Sequence, residues 1–157
     1  MRIYVVSLIA ESMGVHLGQW IDLAEYSDHY MVEDDIFTEL TMFEWRIDKI
    51  DAPLAVSTQT PLDVLIAIQL MLDDEWTGEA FLLYAKYHKD IQYALDYFED
   101  AYHGCWRSLE DYALDFYEEA YGDPAPPGYR VEIDEIAWRC DFDDIDGPSG
   151  THIFACV

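Results

Sequence analysis

A helix-dominated α+β fold is predicted by three features of the chain. Residues 2–9 (RIYVVSLI) are rich in β-branched and aromatic side chains, and residues 43–50 (FEWRIDKI) alternate between apolar and polar. Residues 60–103 change to helical spacing. Residues 108–122, SLEDYALDFYEEAYG, read as one helix with both ends signalled.

The elements follow in order. Residues 2–9 form a strand, and residues 18–23 (GQWIDL) a second one after a loop at Gly14 and Gly18. Residues 25–39 are acidic, with scattered Tyr30, Met31, Ile36 and Phe37, and read as a loop with a short helix. In the third strand Phe43, Trp45, Ile47 and, by extension, Lys49 share one side, opposite Glu44, Arg46 and Asp48. Together these make an N-terminal domain over 1–59.

After a connector, Thr60 is placed to cap a helix, with Pro61 at its first position and Asp63 in its first turn. That helix runs to about Asp74 on Leu62, Leu65, Ile66 and Leu70. A second, over 78–87, buries Phe81, Leu82 and Ala85, with Lys86 and Lys89 near its C-terminus, where the dipole favours cations. A third starts near Asp90. It turns Ile91, Ala94, Leu95, Phe98 and Tyr102 inward and Asp96, Glu99 and Asp100 outward. Residues 60–103 are thus a central helical domain.

The last domain, 104–157, is α+β. Ser108 caps its main helix, with Asp111 three residues on, and Gly122 ends it. At 100° per residue, Glu110, Asp111, Asp115, Glu118 and Glu119 fall on one half, while Leu109, Tyr112, Ala113, Phe116, Tyr117 and Ala120 fall on the other. A rigid loop over 123–129, a helix over 132–140 with Ile133, Ile136 and Ala137 inward, an acidic turn over 141–150 and a closing strand complete the chain. The five tryptophans, Trp20, Trp45, Trp76, Trp106 and Trp138, are expected as core anchors.

Charge decides the functional class. The chain has 157 residues, 52% of them hydrophobic, and a net charge of −25. Solubility alone is met by a magnitude of about 2 to 8, and self-repulsion opposes compaction. An elongated chain of small domains is the expected response. The acids are spread along the chain: residues 1–89 carry 16 acids and 5 bases, and residues 90–157 carry 17 and 3. They are interleaved with aromatics, unlike a disordered acidic tail. Nucleic acid and anionic membrane are excluded as direct partners, and a basic partner is favoured. The main helix rises about 13.5 Å from Glu110 to Glu119, so its five charges stand roughly 3.4 Å apart on average along the axis. Duplex DNA carries one per about 1.7 Å and a single strand one per about 3.4 Å.

The enzyme motifs fail one by one. There is no phosphate loop or dinucleotide fingerprint. The histidines His16, His29, His88, His103 and His152 include no pair at metal-binding spacing. His103 and Cys105 are neighbours in sequence, whereas nucleophile and base are normally brought together in space. The run from Asp141 to Asp146 lacks the EF-hand order of ligands. No carboxylate pair is singled out for glycoside hydrolysis. No catalytic residue, metal or cofactor is expected. Cys105, Cys140 and Cys156 make no disulfide framework. The short N-terminal apolar run reads as a strand, not a leader, so a cytoplasmic protein is expected.

The runs FEDAYHG (98–104), SLEDYALDFYEEAYG, IDEIAWRCDFDD (133–144) and GTHIF (150–154), with RIYVVSL and GQWIDL at the start, resemble the ArdA antirestriction family. The resemblance implies a curved chain of three small domains, a homodimer formed through the C-terminal one, and a DNA mimic. Its partner would be the methyltransferase–specificity core of a type I restriction–modification enzyme. That family acts through a charged surface, so the candidate contacts are Asp96, Glu99, Asp100, Glu110, Asp111, Asp115, Glu118, Glu119, Glu132, Asp134, Glu135, Asp141, Asp143, Asp144 and Asp146. The alternative is an acidic module that inhibits another basic DNA-binding protein.

Overall fold

The fold is α+β. The computed structural model describes residues 1–38, 40, 43–122, 132 and 134–156. The expected loop over 123–129, the inward Ile133 and the side chains of Glu135 and Ile136 lie outside the described residues. The chain divides into two units, Met1–Leu82 and Leu83–Val157, each with its own three-stranded antiparallel sheet. The division falls within α4 (Gly78–His88), at neither of the boundaries expected from the sequence, 59/60 and 103/104.

In the first unit β1 (Arg2–Ser7) lies between β2 (Gly18–Asp22) and β3 (Trp45–Asp51). Ile3 and Val5 point to the core and are fully buried, two residues apart as the pleat requires. The strand stops at Ser7, short of the expected Ile9. The Ser7 hydroxyl accepts the Ala10 N–H at 3.3 Å and starts α1 (Leu8–Ser12). One serine cap therefore converts apolar residues read as strand into a turn of helix.

The expected side for Lys49 is corrected by a bulge. Val5 pairs with Ile47 and Tyr4 with Lys49, which leaves Asp48 as an extra residue. Alternation resets there, so Ile47 is buried while Lys49 joins the outer face. On that face Tyr4 and Trp20 rings lie 5.3 Å apart, the Lys49 ammonium is 5.6 Å from the Tyr4 ring, and Arg2 is 5.6 Å from the Trp20 ring. Arg2 also pairs with Asp51 at 2.5 Å. Trp20 thus sits under a cation on the surface, not in the core.

Residues 29–38 form α2 (His29–Thr38), a full helix where a loop with a short helix was expected. The Asp28 carboxylate accepts the Met31 N–H at 3.0 Å, and Val32 and Ile36 are fully buried. Then α3 (Leu62–Asp73) begins with Pro61, not Thr60, at the cap position and with no side-chain cap. It buries Leu62, Leu65, Ile66, Ile68 and Gln69 and leaves Leu70 exposed. The segment is apolar nearly all round, so spacing alone could not choose between Ile68 and Leu70.

In the second unit β6 (Gly150–Ala155) lies between β4 (Tyr102–Trp106) and β5 (Phe142–Gly147). Thr151, His152, Ile153 and Phe154 are all buried, so β6 is covered on both faces. α5 (Ile91–Ala101) and α6 (Leu109–Tyr121) both contact β6, and α7 (Glu135–Asp141) contacts β5. Phe154 stacks 4.8 Å from Tyr84, and the Tyr102 ring lies tilted against it at 5.4 Å.

Two strands here correct the sequence reading. Tyr102 is not the end of a helix: it opens β4, in which His103 is a bulged residue between the pairs Tyr102–Phe154 and Gly104–Ile153. The expected acidic turn over 141–150 is mostly strand β5, because hydrogen bonding to β6 overrides the low β-propensity of aspartate. Gly150 makes the hairpin possible. It has φ +145, and a Cβ there would lie 2.6 Å from the Trp106 carbonyl oxygen.

None of the five tryptophans is in the buried core. Trp45, Trp106 and Trp138 are half-buried, and Trp20 and Trp76 are exposed. Isoleucine, valine, phenylalanine and tyrosine fill the sheet interiors instead. Among the described residues no helix is long and apolar enough to cross a membrane.

Candidate functional site

The main helix forms as its signals require. The Ser108 hydroxyl accepts the Asp111 N–H at 3.1 Å. At the other end Gly122 has φ 82, and its N–H reaches the Glu118 carbonyl at 2.9 Å. Tyr112 and Ala113 are buried and anchor α6. The Tyr112 ring packs 4.6 Å from Trp106, 5.5 Å from Trp138 and 5.5 Å from Phe142.

Glu110, Asp115, Glu118 and Glu119 are exposed along this helix and Asp111 is half-buried. The expected inner face is only partly right. Phe116, Tyr117 and Ala120 are exposed, because anchoring stops after Ala113 and every residue from 115 to 122 is exposed. Phe116 instead borders a small apolar groove of about 200 Å³ with Ala137, Trp138, Asp141 and Phe142.

Asp111, Asp115 and Glu118 line a larger groove of about 580 Å³ with Cys105, Trp106, Arg107, Leu114 and Ser149. The Trp106 indole N–H donates to Asp115 at 2.9 Å and fixes that carboxylate beside the groove. On α5, Asp96, Glu99 and Asp100 are exposed within one arc, with Ala94, Phe98 and Ala101 buried opposite. Gln92 donates to Asp96 at 2.8 Å across one turn.

The acids after α6 are dispersed more widely. Glu132 and Asp134 are exposed, and Asp134 accepts the Ala137 N–H at 3.2 Å as α7 begins. Asp141 is exposed. The β5 aspartates alternate between faces of the sheet, so they do not form one ridge. Asp143 accepts the Tyr87 hydroxyl at 3.1 Å, Asp144 pairs with Arg139 at 3.2 Å, and Asp146 accepts the Thr151 hydroxyl at 2.8 Å. Of the expected contacts the structure therefore brings together the α6 set and, separately, the α5 set. Among the described residues Glu99, Asp100, Glu118 and Glu119 have no cationic partner.

Nearby phenols register this charge. The hydrogen bond to Asp143, then its charge, holds the Tyr87 hydroxyl above the ordinary tyrosine value. Burial first, and the Glu119 carboxylate second, raise Tyr112. Both shifts favour the neutral phenol.

His103 and Cys105 do not form a nucleophile–base pair. The His103 ring bonds the Tyr112 hydroxyl at 3.1 Å, and Cys105 lies across from His152 in the sheet. His152 is buried and bonds the Tyr102 hydroxyl at 3.1 Å, while His16 bonds that of Tyr4 at 3.2 Å. These are tyrosine-held structural histidines. Among the described residues no group of three or more His, Cys, Asp or Glu is placed to hold a metal. Such a surface can attract a polycation.

Spacing did not single out Trp76, which is 83% exposed beside Asp73, Asp74 and Glu75. Its DDEW run was the available signal. No family model matches the chain, and no curated protein matches it.

Proposed function

We propose that this chain is an antirestriction protein that mimics DNA and occupies the DNA-binding channel of a type I restriction–modification enzyme. The observation that carries the proposal is α6, where Glu110, Asp115, Glu118 and Glu119 are exposed on one short helix. With half-buried Asp111 they average one charge per roughly 3.4 Å of rise, the spacing of phosphates along one DNA strand. A protein that grips DNA through Lys and Arg contacts to the backbone would find comparable charges there. Association would be long-range, steered and salt-sensitive.

Two copies of the chain are proposed to pair through the C-terminal unit. The apolar groove beside Phe116, Trp138 and Phe142, together with exposed Tyr117 and Tyr121, supports that arrangement. Light scattering after size exclusion tests it.

The functional test is plating of unmodified phage on cells that carry a type I system, with and without this protein. Restored plating is expected, and in vitro the protein should displace duplex DNA from the methyltransferase–specificity core. Unchanged plating with no displacement would reject the proposal. Displacement of DNA from unrelated basic proteins instead would favour the acidic inhibitor module.

A further inference from the structure

Trp76 is held out by a turn that leaves its backbone little freedom. One oxygen of Asp74 accepts the Trp76 N–H at 3.0 Å, the Thr77 N–H at 2.7 Å and the Thr77 hydroxyl at 2.8 Å. Those bonds also hold the Asp74 carboxyl below its ordinary value, so it stays charged. On the far side, a Cβ on Gly78 would lie 2.5 Å from the Leu72 carbonyl oxygen. The α3–α4 connection is thus closely packed, and the indole it carries is 83% exposed. Asp73, Asp74 and Glu75, all exposed, precede it directly.

The same unit shows what such a set takes. Arg2 lies 5.6 Å from the Trp20 ring and pairs with Asp51 at 2.5 Å, so one guanidinium serves an indole face and a carboxylate together. Trp76 with its acids repeats that combination, and among the described residues no arginine or lysine lies over its ring. We infer that Trp76 is an anchoring contact for an arginine side chain on the basic partner. The guanidinium stacks on the indole and is paired by Asp73 or Glu75. Arginine fits better than lysine because its charge is planar and forked. The backbone is already fixed, so binding orders little more than the indole itself. The inference rests on the DNA-mimic function proposed above.

The test compares Trp76→Ala, Trp76→Leu and Trp76→Phe in equilibrium binding to the methyltransferase–specificity core. Because the indole is exposed, all three variants should keep the wild-type Tm. Trp76→Ala and Trp76→Leu are expected to weaken binding by about 30-fold, as interface tryptophans do. Trp76→Phe, which keeps an aromatic face, should lose only a few-fold. Equal binding by all variants, or Trp76→Leu matching Trp76→Phe, overturns the inference while leaving the mimic intact. A second arm needs no restriction enzyme: 5-fluorotryptophan protein is titrated with octa-arginine and with octa-lysine. The Trp76 fluorine resonance, assigned by its loss in Trp76→Phe, should shift at lower concentration with octa-arginine. A silent Trp76 overturns the inference. A core that ignores the wild-type protein rejects the mimic itself, and the peptide titration then decides the arginine contact alone.

Discussion

The two units carry almost the same charge and hold it differently. Residues 1–82 have 16 acids and 3 bases, and residues 83–157 have 17 and 5. In the first unit all three cations are spent on the sheet. Arg2 pairs with Asp51, Arg46 pairs with Glu11 at 2.5 Å and Asp48 at 3.2 Å, and Lys49 lies over Tyr4. In the second unit Arg139 steadies Asp144 on the sheet, while the helix carboxylates of Glu99, Asp100, Glu118 and Glu119 have no cation among the described residues. The difference teaches that net charge does not locate a surface for a basic partner. The alignment of exposed carboxylates along one helix, as on α6, does.

The strongest way to break this contrast is to neutralise one unit at a time. Replacing Glu110, Asp111, Asp115, Glu118 and Glu119 by their amides should abolish DNA displacement, with the fold intact by circular dichroism. The same treatment of Glu25, Glu33, Asp34, Glu44 and Asp63 should leave most of it. Equal losses would mean that total charge governs, and the contrast between the units would fall.

Next in size is a packing change. Phe154→Ala empties the fully buried centre of the second sheet and should cost about 3–5 kcal/mol. Urea unfolding followed by circular dichroism measures it. A much smaller loss would show that Tyr84 and Tyr102 close over the gap.

Ser108→Ala should cost about 1 kcal/mol, since it removes the acceptor for the Asp111 N–H. Thermal unfolding checks it, and Ser108→Asp should restore most of the loss. Failure of the aspartate to rescue would mean that the cap is worth less than repulsion from the nearby acids.

Arg46→Ala should have the smallest effect, because the pairs it breaks are exposed and screened. Its sign with pH is informative. The Arg46 hydrogen bond holds Glu11 below its ordinary 4.5, so the pair contributes fully above that value. The contribution is lost as pH falls through the lowered value, and variant and wild type should converge in acid below it. A gap in Tm that persists in acid would show that Arg46 acts through packing of its stem.

Local signals made much of this legible. The two ends of α6 were written in Ser108 and Gly122, and β2 and the central strand of each sheet were visible in their apolar residues. Legibility ended where partners across the sheet decide the outcome. β5 was hidden because DFDDID has poor intrinsic preference for a strand and forms one only against β6. The reversal at Lys49 was hidden because a bulge depends on register, which belongs to two strands at once. The tryptophans misled for a related reason: size suggested burial, while cations and carboxylates drew Trp20 to the surface and a fixed turn keeps Trp76 there. Of the site, the α5 and α6 acids followed from helical spacing. The division of the β5 aspartates between two faces did not, since no strand was expected there.

The aspartates of β5 have one more consequence. That strand ends its sheet, and its outward backbone groups are a template on which another chain could extend the ladder. A parallel, in-register addition of a second β5 would bring Asp143, Asp144 and Asp146 each near its own copy at about 4.8 Å between strands, so repulsion blocks ribbon growth at neutral pH. Acid removes that guard, and fibrillar association should set in as the carboxylates take up protons.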